Sequence, residues 1–409
     1  MRKNLIYFSS CAIHPNGEIN PFLLQEKDWL CSNYDSVVVV SHYGILYLEP
    51  NKPISNITIR PALAKVRAFF RPAFSSDFWK NLYELIRDHQ AKPLNIVKLW
   101  LFSKRGYTMA YWANWVMRHS NGEDTILYSY WMSFDAYAAS LCKRKFKDTR
   151  FVVRGHAFDI DVIRNPLNPY LMKKQIADKS DGIYLISETA KNQYLSYMTG
   201  KVSLDKVHVL AVGSMGPPID NIIDAPRYTQ GVVRVISCSR LIEIKQVHIL
   251  VEALALWQGI PLIWTHIGGG KLQQEIQTLA EEKLARKENV IYDLLGDLVP
   301  DEIQAIYFKH GFDVFINTSQ REGVPVSIME AMRHGIPAIG PNVGGIPEII
   351  TNKTGYLFEP ELGARAVHDC LVKLTSQTLS ESTLMREAAK KHWEEHYQCE
   401  VLLPLLLKE

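Results

Sequence analysis

The stretch Asn317-Thr-Ser-Gln-Arg-Glu-Gly-Val-Pro-Val-Ser-Ile-Met-Glu-Ala-Met-Arg-His-Gly335 holds two glutamates, Glu322 and Glu330, on either side of an abrupt change of local pattern. Before them, Asp313-Val-Phe-Ile-Asn317 reads as a short buried strand. After Pro325, which suits the first turn of a helix, Val326, Met329, Ala331 and Met332 fall at helical spacing until Gly335 supplies a C-cap. Glu322 and Gly323 are therefore expected in a tight loop, and Glu330 in the early turns of a helix. A helix that starts at the carboxyl end of a strand presents free N–H groups and a positive dipole end, which suits a phosphate. Carboxylates cannot hold a phosphate, but they accept hydrogen bonds from sugar hydroxyls. Together these features point to a sugar attached to a diphosphate.

Other chemistry-bearing residues lie outside this stretch. Arg240 and Lys245 are five positions apart, flanking the turn between an expected strand and its helix. Val152-Val-Arg-Gly-His-Ala-Phe-Asp159 closes another strand with His156, and Asp159-Ile-Asp161 spells D-x-D. That triplet can serve as a metal motif, but three residues are a common pattern. The loop Ser9 to Asn20 contains one glycine, Gly17, and a histidine, His14, with no evident role.

The elements that must position these residues alternate along nearly the whole chain, as in doubly wound parallel sheets. In the first half, strands are expected at Leu5–Phe8, Ser36–Ser41, Ile57–Ile59, Ile126–Tyr130, Phe151–Arg154, Gly182–Ile186 and Val207–Val212. The clearest helices there span 75–90, 96–118, 134–145 and 188–198. A Pro/Gly-rich, non-periodic stretch from Gly213 to Gln230 reads as a linker. Strands then recur at Val232–Ile236, Leu262–His266, Val290–Leu294, Asp313–Ile316 and Ile336–Ile339, with helices at 245–257, 271–285, 300–309, 325–334 and 361–375. This gives two Rossmann-like domains, 1–225 and 226–380, with a binding place expected in the cleft between them. A last helical stretch at about 380–397 follows the second sheet, and the end of the chain, about 380–409, is free to pack back on the first domain.

From Ser239 to Gly355 the order and spacing of motifs resemble the donor-binding domain of the retaining family-4 glycosyltransferases, which have the GT-B fold. The likeness runs through Ser239-Arg-Leu-Ile-Glu-Ile-Lys245, Ile267-Gly-Gly-Gly270, Leu295-Gly-Asp297, Asn317-Thr-Ser319, Glu322 to Met332, Gly335-Ile-Pro337, Gly344-Gly345, Glu348 and Thr354-Gly355. The first half matches more weakly. The resemblance implies that Arg240 and Lys245 hold the donor's diphosphate, where fixed cations stabilise charge that builds on the leaving group. It implies that Glu322 accepts hydrogen bonds from the transferred sugar, helped by the N–H groups of Gly323 and Val324, and that Glu330 binds the ribose. It places His156 near the sugar and the reacting carbon, and Gly17 beside the phosphates. Gln246 departs from the family, which usually has glycine there.

The same resemblance implies a metal-independent, retaining hexosyltransferase without a cofactor. Its donor would be a nucleotide-diphosphate sugar, and its acceptor a hydroxyl of a growing bacterial surface glycan or of a lipid-linked acceptor. The acceptor would attack the face from which the diphosphate leaves, and a phosphate oxygen would take its proton. Two other readings stand beside it: a retaining glycosidase, which also uses two carboxyls, and a non-catalytic partner protein of the same fold.

Composition narrows the setting. At 409 residues, 47% hydrophobic and 22% charged, the chain has the make-up of a globular enzyme of two domains. Six scattered cysteines with no C-x-x-C pair favour reduced thiols in the cytoplasm. Met1-Arg-Lys is followed by only a short apolar run, so no signal peptide is expected, and no unbroken apolar stretch reaches membrane-spanning length. Residues 1–225 carry 28 Lys+Arg against 20 Asp+Glu, a balance of +8, while the remainder has 18 against 23, or −5. Residues 59–118 hold 11 Lys+Arg against 3 Asp+Glu, interleaved with Phe69, Phe70, Phe74, Trp79, Trp100, Phe102, Tyr107, Tyr111, Trp112 and Trp115. That mixture suits peripheral contact with an anionic membrane, and it equally suits aromatics packed in a core beneath solvated bases. No motif supports nucleic-acid binding.

Overall fold

The structure is a computed structural model that describes residues 4–10, 21–48, 55–57, 62–119, 124–216 and 227–407. The chain divides into two compact units, 1–210 with 403–409, and 211–402.

In the first unit, short runs of Val, Ile and Leu form strands that, at the centre of the sheet, are buried on both faces, as a sheet covered by helices requires. They are β1 (Asn4–Phe8), β2 (Ser36–Val40), β3 (Ile45–Leu48), β4 (Ser55–Ile57), β5 (Thr125–Ser129), β6 (Arg150–Gly155), β7 (Gly182–Leu185) and β8 (Val207–Val209), in the order β4-β3-β2-β1-β5-β6-β7-β8. The pairs from β2 through β1 to β8 are parallel. The outer edge differs from the expected parallel alternation, because β3 and β4 run antiparallel. The cause is a tight turn after β2, in which the Ser41 hydroxyl accepts hydrogen bonds from the N–H groups of Tyr43 and Gly44 and reverses the chain. Of the strand expected at Ile57–Ile59, Ile57 ends β4, and residues 58 and 59 lie outside the described residues.

A helix at Ala62–Phe70, unmarked by caps in the sequence, precedes helices Ser76–Arg87 and Pro93–His119. Ser75 caps the second of these by accepting from the Phe78 N–H.

The second unit is wholly parallel. Its strands β9 (Val233–Cys238), β10 (Leu262–Ile267), β11 (Val290–Leu294), β12 (Val314–Ile316), β13 (Ala338–Pro341) and β14 (Gly355–Phe358) lie in the order β11-β10-β9-β12-β13-β14. Strand β14, the short run Gly355–Phe358, is not among the strands expected from the sequence. The connections from β9 progress outward through β10 and β11, whereas β12 lies on the other side of β9. The sheet order therefore switches between β9 and β12, the kind of place beyond the carboxyl ends of the strands where open α/β sheets bind ligands. One core of Val, Ile, Leu and Trp side chains, including Val235, Trp264, Ile316 and Leu371, holds the strands that frame it.

Of the expected linker, residues 217–226 lie outside the described residues. Its start is tied down: the Trp393 indole donates to the Ser214 hydroxyl at 2.7 Å, and Ser214 pairs with Gln398. Among the described residues, no helix is long and apolar enough to cross a membrane.

Candidate active site

Two loops meet at the switch point of the second unit. The first follows β9 and ends in a 3-10 turn, Glu243–Lys245, before helix Val247–Ala255. The second follows β12 and runs to Pro325, which caps helix Val326–Arg333 instead of entering its first turn. Backbone contacts stitch them together. The Gln320 N–H donates to the Ile244 carbonyl at 2.8 Å, and the Thr318 hydroxyl donates to the Lys245 carbonyl at 2.9 Å. Lys245 Nζ then ion-pairs with Glu322 Oε1, which also accepts from the Ser319 hydroxyl at 2.7 Å. Both partners are mostly shielded, with side chains 21% and 12% exposed. Arg240 stands at the start of the first loop, exposed and without an ion-pair partner among the described residues.

Close backbone approach fixes the second loop from behind. Gly344 has φ +56°, and a Cβ there would lie 1.9 Å from the Glu322 carbonyl oxygen. The next residue, Gly345, donates its N–H to the Gly323 carbonyl at 2.8 Å. The N–H groups of Gly323 and Val324 have no acceptor among the described residues, so they remain available to an incoming anion or hydroxyl.

Glu330 lies in the second turn of helix Val326–Arg333, within the early turns expected for it, and is partly buried beside Cys238 at the end of β9. Burial pushes its carboxyl up to about 7, against the opposing charge of Arg333. The same desolvation, with Glu330 adding to it, raises the Cys238 thiol to about 12 and leaves it a neutral wall.

The expected residues Arg240, Lys245, Glu322, Gly323, Val324 and Glu330 thus all belong to the loops that follow β9 and β12 and to the helix after the second of them. Two cations on one loop, free N–H groups and a carboxylate held by a lysine suit an anion joined to a polyhydroxylated ring.

His156 belongs to the first unit. It caps the short helix Ala157–Ile160 at the end of β6 and is 8% exposed. Burial, reinforced by Arg154, lowers its pKa to about 3, so the ring is neutral at pH 7. Its Nε2 lies 2.9 Å from the Tyr130 carbonyl, which can only accept, and this fixes the proton on Nε2. Trp131 lies against the ring at 4.3 Å between centroids.

The two aspartates of D-x-D are turned to separate internal tasks. Asp159 accepts from the N–H groups of Met132 and His156, whereas Asp161 accepts from the Ile163 N–H and the Gln193 amide. Gly17 and His14 lie outside the described residues.

Comparison with known proteins gives this geometry its relatives. Residues 220–392 match the family model described as glycosyl transferases group 1. The chain carries a group 1 glycosyltransferase domain. The colanic acid biosynthesis glycosyltransferase WcaL of Escherichia coli, a putative assignment by its own description, is 29% identical over 209 residues, 47% of this chain and 48% of that protein. The amylovoran biosynthesis glycosyltransferase AmsK of Erwinia amylovora is 31% identical over 152 residues, 35% and 36% of the two chains. The chain thus spans less than half the length of these curated relatives. Among solved structures, Anabaena HepE in complex with UDP-glucose superposes with a TM-score of 0.62 at 14% identity, over 98% of each chain. The apo lipopolysaccharide outer core galactosyltransferase WaaB does so at 0.62 and 15%, over 97% and 96%. The fold is GT-B.

In this glycosyltransferase domain the departure at Gln246 has a visible consequence. Gln246 adopts φ +46°, ψ +40°, the left-handed conformation that glycine adopts without strain. Ser319, which shares Glu322 with Lys245, could have been found from its place in Asn317-Thr-Ser319. Two buried groups of the first unit had no sequence signal. Asp135 accepts from the N–H and hydroxyl of Ser10 and from Ser133, with burial raising its carboxyl to about 7. Lys173 donates to the Met132 carbonyl, and burial lowers its ammonium to about 8.

Proposed function

We propose that this glycosyltransferase transfers a hexose, with retention of configuration and without a metal, from a nucleotide-diphosphate sugar to a hydroxyl of a growing surface glycan or a lipid-linked acceptor. The observation that carries the reading is the ion pair of Lys245 with Glu322 across the switch point, on loops that also carry Arg240 and the free N–H groups of Gly323 and Val324. A donor entering there exchanges that pair for stronger partners: its diphosphate faces Lys245 and Arg240, and its sugar hydroxyls donate to Glu322. Glu330 takes the ribose. As the glycosidic bond breaks, negative charge collects on the leaving diphosphate, which the two cations are placed to stabilise. His156, a neutral ring, is assigned to the transferred sugar.

That HepE has been crystallised with UDP-glucose supports a nucleotide-sugar donor. The internal engagement of Asp159 and Asp161 supports a phosphate site built from cations. A glycosidase pair is less favoured, since Glu322 is neutralised by Lys245 and would make a poor nucleophile. The test is to incubate the purified protein with nucleotide sugars and a glycan acceptor, follow nucleoside diphosphate release, and read the anomeric configuration of the product by NMR. Release of free sugar without nucleoside diphosphate would defeat the reading.

We further propose a cytoplasmic setting with peripheral contact to the membrane. The helices between 62 and 119 divide their aromatics: Phe102 and Trp112 are buried, while Phe70, Phe74 and Trp79 are 58%, 82% and 55% exposed. Arg67, Arg71 and Lys145 line the same groove as Phe70 and Phe74, a cavity of about 760 Å³. Cations beside exposed rings suit an anionic bilayer surface. Liposome flotation checks this, with binding expected to anionic but not neutral vesicles and to weaken with salt. Equal partitioning to both would return the rings to an ordinary surface.

A further inference from the structure

A second cavity, of about 240 Å³, lies wholly within the first unit, between helix Pro93–His119 and the loops that follow β5 and β6. It is smaller than the roughly 300–1,000 Å³ of pockets that enclose drug-sized molecules, so it suits one sugar ring and not a chain. Lys98, Leu101, Phe102 and Arg105, at helical spacing, form one wall. Phe134 and Phe158 form others, and Ser133, Asn165 and Asn168 add polar groups. Asp159, next to His156 through the hydrogen bond to its backbone N–H, reaches the cavity together with the buried Lys173.

Charge sets this cavity apart from a general sugar subsite. Three cations, Lys98, Arg105 and Lys173, face one carboxyl, Asp159. Lys98 and Arg105 have no ion-pair partner among the described residues, and helix Pro93–His119 contains no acidic residue that could supply one. The Arg105 guanidinium is held over the Phe134 ring at 5.3 Å, which fixes it without neutralising it. Burial and the charges of Arg105, Lys65 and Lys104 together depress the nearby His42 to about 4, in keeping with a positive field on this side of the unit. A flat aromatic wall suits the C–H face of a pyranose, and a planar guanidinium suits a carboxylate.

We propose that this cavity binds the terminal sugar of the acceptor and that this sugar is acidic, its carboxylate meeting Lys98 and Arg105. The proposal rests on the transfer reading above, since it names the acceptor class for that reaction. The test uses methyl glucuronide, methyl glucoside and inorganic phosphate as probes, followed by saturation-transfer NMR on the full chain, with UDP binding measured in parallel. The native protein is expected to bind the glucuronide at least tenfold more tightly than the glucoside, and more tightly than phosphate. Lys98→Glu with Arg105→Glu should abolish that preference while UDP binding and melting temperature stay unchanged, because both side chains are exposed. Phe158→Ala, also at an exposed position, should weaken both sugars alike. Equal affinity for the two sugars, glucuronide binding that survives the double reversal, or phosphate binding as tight as the glucuronide's would each overturn the proposal. Loss of UDP binding in the native protein would instead defeat the donor reading.

Discussion

Lys245 and Glu322, 77 positions apart, are ion-paired across the point where the second sheet reverses its order. Two residues assigned to neighbouring parts of one donor, its diphosphate and its sugar, neutralise each other in its absence. The pair holds the two loops together without committing either charge permanently. Its mostly shielded position sets it between an exposed pair, worth roughly 1 kcal/mol or less, and a buried one, whose breaking costs about 3–5 kcal/mol.

Lys245→Ala should therefore cost transfer more than folding, because Glu322 keeps the Ser319 hydroxyl as a partner. A charge-assisted contact to a leaving group is worth about 1.5–3 kcal/mol, so kcat/KM should fall roughly ten- to a hundredfold. Calorimetry and initial-rate kinetics on the same preparation separate the two effects. A large loss of melting temperature with normal kinetics would make Lys245 a structural residue.

The two glutamates should differ in kind. Glu322→Ala removes contacts at the reacting sugar and should lower kcat strongly, while Glu330→Ala acts at the ribose and should chiefly raise the donor's KM. The assignment fails if Glu330→Ala stops turnover at saturating donor while Glu322→Ala leaves kcat intact.

Proton linkage gives Glu330 and His156 opposite signatures. Glu330 has a folded pKa of about 7, above its unfolded value near 4.5. The folded state then holds the extra proton, so this residue's contribution to stability falls as pH rises from about 4.5 to 7. His156 has a folded pKa of about 3, below its unfolded 6.5. The unfolded state holds the extra proton, so stability falls as pH drops from about 6.5 towards 3. Urea denaturation should show Glu330→Gln stabilising at pH 8 relative to pH 4.5, by about 1–3 kcal/mol. His156→Asn should flatten the acid limb. The same pH slope in all three proteins would mean that neither group titrates as its burial requires.

Gly344→Ala tests how the Glu322 loop is positioned. Its Cβ would collide with the Glu322 carbonyl, and φ +56° is strained for alanine. Transfer should fall at least tenfold although Gly344 touches no assigned donor group, with far-UV circular dichroism unchanged. Normal activity would show that the Glu322 loop is not held from behind.

Transfer should also survive a chelator, since the phosphate site is assigned to Arg240 and Lys245. Activity lost in EDTA and restored by manganese would point back to Asp159 and Asp161.

The second unit was legible in the sequence because its chemistry is local. Strand, loop and helix follow one another between Asp313 and Gly335, so periodicity and one glycine place Glu322 and Glu330 within a few residues of their true settings. Fold class followed from the same alternation, since buried parallel strands read as unbroken apolar runs. The ion pair of Lys245 with Glu322 was not legible, because sheet order, which no local pattern encodes, brings β9 beside β12. Nor was the desolvation of Glu330, which depends on the end of β9 lying against its helix. In the first unit, Asp135, Asp159 and Lys173 look like ordinary surface charges along the chain. Only packing around the ends of β1, β5 and β6 buries them together, and burial, not residue type, moves their pKa values toward neutrality.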